Sequence, residues 1–516
     1  MSKDTKNSGA SNGGVALSKS EGLAFAAVSG SLLTTAQALL NKIATVVAMW
    51  IVAKQLDPSE FGMASLVLSI GIYLVFLPPL TVGDVLVANQ RHCRTVSRVG
   101  LQIATVVGAS CAAFTLVSAP IVSERFSQYP ASDLGLLLSV IAVRPLAEAA
   151  IATPLATLRR LLRYRVIAVT DGSIQFAATL AMVLMAVWGG GVYSLILPQI
   201  VAVCIRAVAY WIAAKSQIHV EKPSPRVLPA VRRMLWAQFM LAAIAQYTHN
   251  VVVMLPVLIL GYRSSEVETG LYAMASTLSA QANALVASQL GTVLQPIFGR
   301  LNMMKDRQFG GFTRVLRTLG AVAVPLTLIQ AASAQPLFML AFDPKWLGAI
   351  AVFAILSSME GLYFATAPTM ALLRAQRRFS AYFLWQMTHF VFAGVLYWVV
   401  APEYGALGVA IVSLCSWGFS APLAVWLAAP VSERSMWTVG RIFLDPVVIA
   451  LPCAACLYLS ASYFQSFGRT GQIVSLAVIA PLALLLCFVL MRAFQPMAWT
   501  EVQGLLSGLT KRLKLR

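Results

Sequence analysis

Long apolar runs decide what this chain can fold into. Stretches of roughly 20 apolar residues recur along almost its whole length, and that is the length a helix needs to cross the hydrocarbon core of a bilayer. Lipid offers no partner to a backbone N–H or C=O, so runs this long must close their hydrogen bonds internally, as helices. Strands of an outer-membrane barrel would alternate in polarity over about ten residues, and these runs do not. An all-α polytopic membrane protein is the expected fold class. Only 11% of the 516 residues are charged and 59% are apolar, with a mean hydropathy of +0.78, whereas soluble domains carry about 25% charged residues.

Fourteen spans are expected, near 24–53, 62–88, 99–122, 134–158, 166–188, 192–214, 234–260, 270–298, 315–341, 347–373, 380–400, 405–429, 442–460 and 472–491. Basic residues test that count, because Lys and Arg collect in cytoplasmic loops. With a cytoplasmic N-terminus, the alternate loops and both termini hold 30 of the 38 basic residues, the opposite side holds five, and Lys42, Arg144 and Arg206 lie within spans. A wrong span count would scramble the alternation downstream of the error. The net charge of +19 is therefore mainly topology, and no nucleic-acid partner is needed to explain it.

The chain divides into a disordered cytoplasmic tail (1–21), a first lobe of six spans (22–215), a cytoplasmic linker (216–233), a second lobe (234–430), two further spans (431–495) and a basic amphipathic cytoplasmic tail (496–516). In that last tail Val502, Leu505, Leu506, Leu509 and Leu513 recur at helical spacing. They read as a helix lying on the anionic membrane face, or as one docking on a soluble partner. The two lobes read as repeats. At an offset of 214 residues Pro154, Leu158, Arg160 and Arg163 meet identical residues, and Gly191 meets Gly405; near 208, Phe61-Gly62 falls beside Thr269-Gly270. Many carriers are built from two such halves.

Several chemistries are missing. No Gly-x-x-x-x-Gly-Lys-Ser/Thr loop and no His-Glu-x-x-His pair occur, so neither phosphate-loop hydrolysis nor zinc hydrolysis is expected. Cys453-x-x-Cys456 has no second pair or histidine nearby and reads as small apolar residues on one helix. The outward loops run only about 4 to 12 residues and hold no cluster of acids, Arg and His, which argues against an enzyme working in that compartment. No cofactor is expected.

Ionisable groups inside spans cost at least about 2.5 to 3.5 kcal/mol on insertion scales, so each needs a reason. Arg144 and Glu148, spaced i, i+4, share one helix face; they form either an anion contact with a titratable partner or a neutralised brace. Lys42 and Arg206 are either cavity cations or snorkelling side chains. Lys42, Arg144 and Arg206 would make a cationic pocket if they converge. Glu360 is either a proton-carrying carboxyl or a structural one. Asp84 and Asp171 lie near cytoplasmic ends, where pairing with neighbouring arginines is the simpler role, and His249 and His389 are mid-span.

Leu56-Asp-Pro-Ser-Glu-Phe-Gly62, Pro154-Leu-Ala-Thr-Leu-Arg159-Arg-Leu-Leu-Arg-Tyr164, Gly270-Leu-Tyr272 and Pro344-Lys-Trp-Leu-Gly-Ala349 with Leu372-Leu-Arg-Ala-Gln-Arg377 together resemble the bacterial polysaccharide transporter, or Wzx-type oligosaccharide flippase, family of the multidrug/oligosaccharidyl-lipid/polysaccharide exporter superfamily. The resemblance covers roughly residues 22 to 430. It implies two pseudo-symmetric six-helix bundles in a V, here with two extra C-terminal helices. It also implies a cargo, an oligosaccharide on polyprenyl (undecaprenyl) pyrophosphate, flipped across the bacterial inner membrane for exopolysaccharide, capsule or O-antigen synthesis. On that expectation Lys42, Arg144 and Arg206 face pyrophosphate and sugar, while Glu148, Glu360 and Asp84 couple or gate, with H+ or Na+ antiport as the energy source. Membrane lipids, a polysaccharide polymerase and a chain-length regulator are the expected partners. Export of lipid II or of drugs and metabolites within the same superfamily, and a membrane glycan polymerase, are the alternatives.

Overall fold

The computed structural model describes residues 40–88, 93–215, 228–286, 305–376, 378–430, 435–494 and 500; both expected tails, save residue 500, and most of the linker lie outside them. The first lobe comprises α1 (40–55), α2 (Pro58–Leu74), α3 (Thr81–Ala88), α4 (Cys93–Arg125), α5 (Ala131–Ile141), α6 (Val143–Arg160), α7 (Tyr164–Val187) and α8 (Tyr193–Ala214). The second comprises α9 (Leu228–Arg263), α10 (Glu266–Val286), α11 (Lys305–Ala332), α12 (Ala334–Ala341), α13 (Ala349–Tyr363), α14 (Thr366–Ala375) and α15 (Phe379–Ala428). α16 (Met436–Phe464), α17 (Gly468–Val474) and α18 (Ala480–Phe494) follow. Among the described residues there is no strand, and nine helical stretches are long and apolar enough to cross a membrane. Two of those stretches each contain a pair of spans: α15 reverses at Gly405, and Met436–Phe494 turns back near Gly468. With α1, the α2–α3 pair and α10, described helices fall on all fourteen expected spans.

Prolines decide where spans break. Pro145 has no N–H to give the carbonyl of Ile141, and span four kinks there, between α5 and α6. Pro368 does the same to Phe364, splitting span ten into α13 and α14. Span two unwinds after Leu74 and resumes at Thr81, across Pro78-Pro79. Bare backbone at membrane depth must be satisfied by protein. Here the Tyr247 hydroxyl of α9 donates to the Tyr73 carbonyl (3.0 Å), and the Tyr73 hydroxyl donates back to the Val251 carbonyl (2.8 Å).

The repeat is visible at both ends of the molecule. At the arginine-rich end, α6 closes with Arg163 N–H donating to Leu158 O (3.0 Å), and α14 closes with Arg378 N–H donating to Leu373 O (2.9 Å). These are the same six-to-one closure. Arg163 and Arg378 then begin the next helix of their respective lobes. Arg160 donates to the Leu86 carbonyl at the last turn of α3 and to Ser97 (3.2 Å), and Arg159 pairs with Asp84 (2.9 Å). The cluster that dominates the sequence thus clamps a helix C-terminus, where cations are favoured.

At the opposite end α2 and α10 cross with their glycines in contact. A Cβ at Gly62 would lie 2.9 Å from Gly270 N and overlap the Glu266 carbonyl; one at Gly270 would lie 3.1 Å from Gly62 N and overlap the Pro58 carbonyl. Positive φ at Gly191 (48°) and Gly405 (51°) turns the chain into the sixth and twelfth spans. Each glycine faces a carboxylate from the crossing: Glu60 Oε1 comes within 2.8 Å of the Cβ position at Gly191, and Glu268 Oε2 meets Gly405 while accepting from Ala406 N–H (2.6 Å). The two sequence offsets therefore describe one assembly, built twice. Trp346, fully buried, donates to the Ala53 carbonyl (2.8 Å) and sets its ring edge-on to Phe61.

One continuous core at this end joins α1, α2, α5 and α8 to α9, α10, α13 and α15. Towards the arginine-rich end the core divides. One part holds α11, α14, α15 and the C-terminal helices, another holds α3, α4, α6 and the first half of α9, and a third, smaller part lies between α6 and α8. This is a V with its apex at the glycine crossing, and α9 leans across both arms. Burial raises the Glu266 carboxyl at the crossing above its ordinary range. The protonated form is then favoured in the packed end, so this contribution is full at acid pH and is lost as pH rises through the raised value. Glu266→Gln should flatten the pH dependence of thermal stability in that window, measured by melting the protein in detergent.

Candidate transport cavity

Between the arms lies a cavity of about 620 Å³. The first lobe contributes Ser65, Ser69 and Ile72 of α2 and Arg144 of α6; the second contributes α9, α10, α13 and α15, with Glu360 of α13 among the lining residues. Arg144 reaches it because the Pro145 kink places it in the first turn of α6. Its Nε donates to Glu148 Oε1 at 2.8 Å, with Glu148 only 12% exposed and Arg144 40%. That bond fixes the plane of the guanidinium and leaves the two Nη groups without a partner among the described residues. The result is a planar fork, the geometry that binds phosphate or carboxylate through two parallel bonds. The two sequence readings of this pair are not exclusive, because a brace through Nε also sets the direction of the guanidinium's other edge.

The far wall is held by hydroxyls. Ser413 Oγ donates to Val409 O (2.8 Å) and accepts from Tyr397 Oη (2.9 Å) and Tyr272 Oη (3.1 Å), all buried. Trp417 lines the cavity beside Tyr363, with ring centroids 4.8 Å apart. Behind it, the His389 ring packs against Trp417, tilted by 44° with centroids 4.4 Å apart.

The structure places Arg144 and Glu360 on this cavity, with Glu148 behind Arg144 as its partner. It does not bring Lys42, Arg206 or Asp84 to the cavity wall. Arg206 sits 3.2 Å from Asp171 of the neighbouring α7, Asp84 is held by Arg159, and Lys42 is half-buried on α1 with no ion pair among the described residues. Among the described residues the cavity therefore carries one arginine and one glutamate in a wall of hydroxyls, aromatics and aliphatics, because the other described first-lobe cations are used up in packing or lie elsewhere. Sequence reasoning did not single out Gln386, Ser413, Ser416 and Ser420, buried polar residues within apolar spans. Their polarity at mid-span was the available signal.

A polytopic bundle with a cavity between two repeated arms is the architecture of an alternating-access transporter. The sequence profile of the family described as polysaccharide biosynthesis protein matches residues 51–351. The chain belongs to that family. It is similar to the succinoglycan biosynthesis transport protein ExoT of Rhizobium meliloti, 21% identical over 373 residues, covering 71% of this chain and 72% of that protein. Among solved structures it shares its fold with the lipid II flippase MurJ in an inward closed conformation (TM-score 0.68, 12% identity, 90% of this chain and 99% of that one). It shares the fold also with an inward-facing multidrug resistance MATE family transporter of the MOP superfamily (TM-score 0.58, 10% identity, 80% and 98%).

Proposed function

We propose that this protein carries an oligosaccharide linked to polyprenyl pyrophosphate from the cytoplasmic to the outer leaflet of the bacterial inner membrane, as a step in the synthesis of an exported polysaccharide. The observation that carries this reading is the Arg144 fork, aimed by Glu148 into a cavity between two arms. The pyrophosphate is the cargo's charged group, and the fork is the complementary cation. The lipid tail stays in the bilayer while sugars and pyrophosphate pass between the arms. The profile match to polysaccharide biosynthesis proteins and the likeness to ExoT support the cargo class.

In this reading residues 22–215 and 234–430 rock about the crossing, joined by the linker 216–233, and both termini and the arginine-rich end are cytoplasmic. The glycine crossing closes the outer side, so the cavity loads from the cytoplasm. Glu360 faces Arg144 across the cavity as a gating or coupling carboxylate, and antiport of H+ or Na+ drives the cycle. A mobile anion must be held similarly in both states, since a tight hold on one would stall the carrier. Among the described residues the fork is a single one, which suits a moderate hold.

Deleting the gene and extracting lipids is the test. The full-length lipid-linked repeat should accumulate facing the cytoplasm, and the exported polymer should vanish. A lipid-linked repeat that reaches the outer leaflet unpolymerised would place the chain at a polymerisation step. Accumulating lipid II would identify a different lipid-linked cargo.

A further inference from the structure

We infer that His249 and Gln386 form a proton-binding site inside the second lobe, read out by rotation of the Gln386 amide. His249 of α9 places Nδ1 3.3 Å from Gln386 Nε2 of α15. The same Nε2 donates to Tyr382 Oη (3.2 Å), whose hydroxyl donates to the Ala245 carbonyl of α9 (3.3 Å). With the amide oriented to donate to Tyr382, Nδ1 accepts, which is the neutral ring with its proton on Nε2. That orientation also leaves Gln386 Oε1 without a partner among the described residues, although the residue is fully buried. Buried polar atoms are almost always satisfied, and an exception asks for a reason.

A second state supplies the reason. A proton added at His249 Nδ1 turns the acceptor into a donor facing an amide donor. Rotating the amide by half a turn puts Oε1 on that proton and gives the oxygen its partner, while Nε2 moves to the side Oε1 left; the rotation is therefore favoured only when Nδ1 carries the proton. The Tyr382 hydroxyl then faces an acceptor, turns to it and releases the Ala245 carbonyl. Proton uptake thus loosens a tie between α15 and α9, and α9 is the helix that leans on both arms. The site also reaches the cavity: His389, one turn along from Gln386, has a buried Nδ1 with no partner among the described residues and packs against the cavity residue Trp417.

The charged and titratable groups facing His249 are few. Arg374 of α14 lies over the Tyr382 ring at 5.7 Å, Tyr382 and His389 come from α15, Tyr363 and Glu360 stand on the cavity side on α13, and Tyr73 of α2 binds α9 two residues along, at Val251. Arg374 is the cation whose approach or withdrawal sets how readily the proton is held. Proton binding stands on this geometry alone; its role in driving transport rests on the carrier reading above.

The test is nitrogen NMR of the full chain in nanodiscs, labelled at its four histidines, with His249 assigned by the signal lost in His249→Asn. At high pH that signal should show a neutral ring protonated on Nε2, converting to imidazolium as pH falls. Gln386→Glu, a fixed acceptor, should raise the midpoint by about one unit or more, and Gln386→Leu should lower it. If the Asn variant does not fold, the histidine signal that moves in both Gln386 variants makes the assignment. A ring that never protonates, or midpoints unchanged in both Gln386 variants, overturns the site. No cargo enters the measurement, so an error in the carrier reading would appear in the lipid extraction and not here.

Discussion

Replacing Gly270 with leucine is expected to hold the cavity open at the glycine crossing and to abolish transport. The added Cβ overlaps the Pro58 carbonyl, and backbone cannot swing aside as a side chain does, so α2 and α10 must part. Overpacking of this kind costs about 1 to 3 kcal/mol, and every 1.4 kcal/mol is about tenfold. A cost near 3 kcal/mol, borne only by the closed end, moves the equilibrium roughly a hundredfold towards the state in which the arms separate there. The readout is a membrane-impermeant maleimide applied from outside to Ser65→Cys, in a chain whose seven native cysteines are replaced. Labelling should rise steeply in the Gly270→Leu background, with Gly270→Ala in between. Unchanged labelling with intact transport would show that the crossing is not a gate.

Loss of Arg144 should be the most damaging change within the cavity. Hydrogen bonds to charged groups contribute about 1.5 to 3 kcal/mol each, and the fork offers two, so Arg144→Ala should cut transport by at least about a hundredfold. Arg144→Lys keeps the charge but loses the planar pair and should recover only a small part. A fold defect must be separated from a binding defect, because Arg144→Ala also leaves the largely buried Glu148 carboxylate uncompensated. The double variant Arg144→Leu/Glu148→Leu removes both charges, and such replacements are often neutral for stability. It should express and melt like wild type while still failing to transport. Transport by the double variant would remove Arg144 from cargo binding.

The fold was legible because lipid enforces it. Span number, the two-lobe repeat and the break at Gly405 all follow from apolar length, basic loops and matched glycines. The site was half legible. A charge within a span reveals depth but not the face of the helix it occupies, and the face decides. Arg144 reaches the cavity through a kink made by the next residue, Pro145. Arg206, in a neighbouring span, turns to Asp171 instead. Glu148 read as either a titratable partner or half of a brace, and its bond to Arg144 Nε holds the plane of a guanidinium that lines the cavity. The His249–Gln386 contact spans 137 residues, and no local spacing foreshadows it.

The glycine crossing has an evolutionary consequence. Two copies of one patch facing each other across a two-fold axis form an isologous interface, the kind that holds a homodimer. A homodimer must repeat every side chain, so it would set arginine against arginine across its shared cavity. In this chain the position matching Arg144 at the 214-residue offset is Ser358, and the one matching Glu360 is Leu146. Covalent joining of the halves keeps the symmetric hinge and frees the cavity from symmetry, so that one wall carries an arginine and the other a carboxylate.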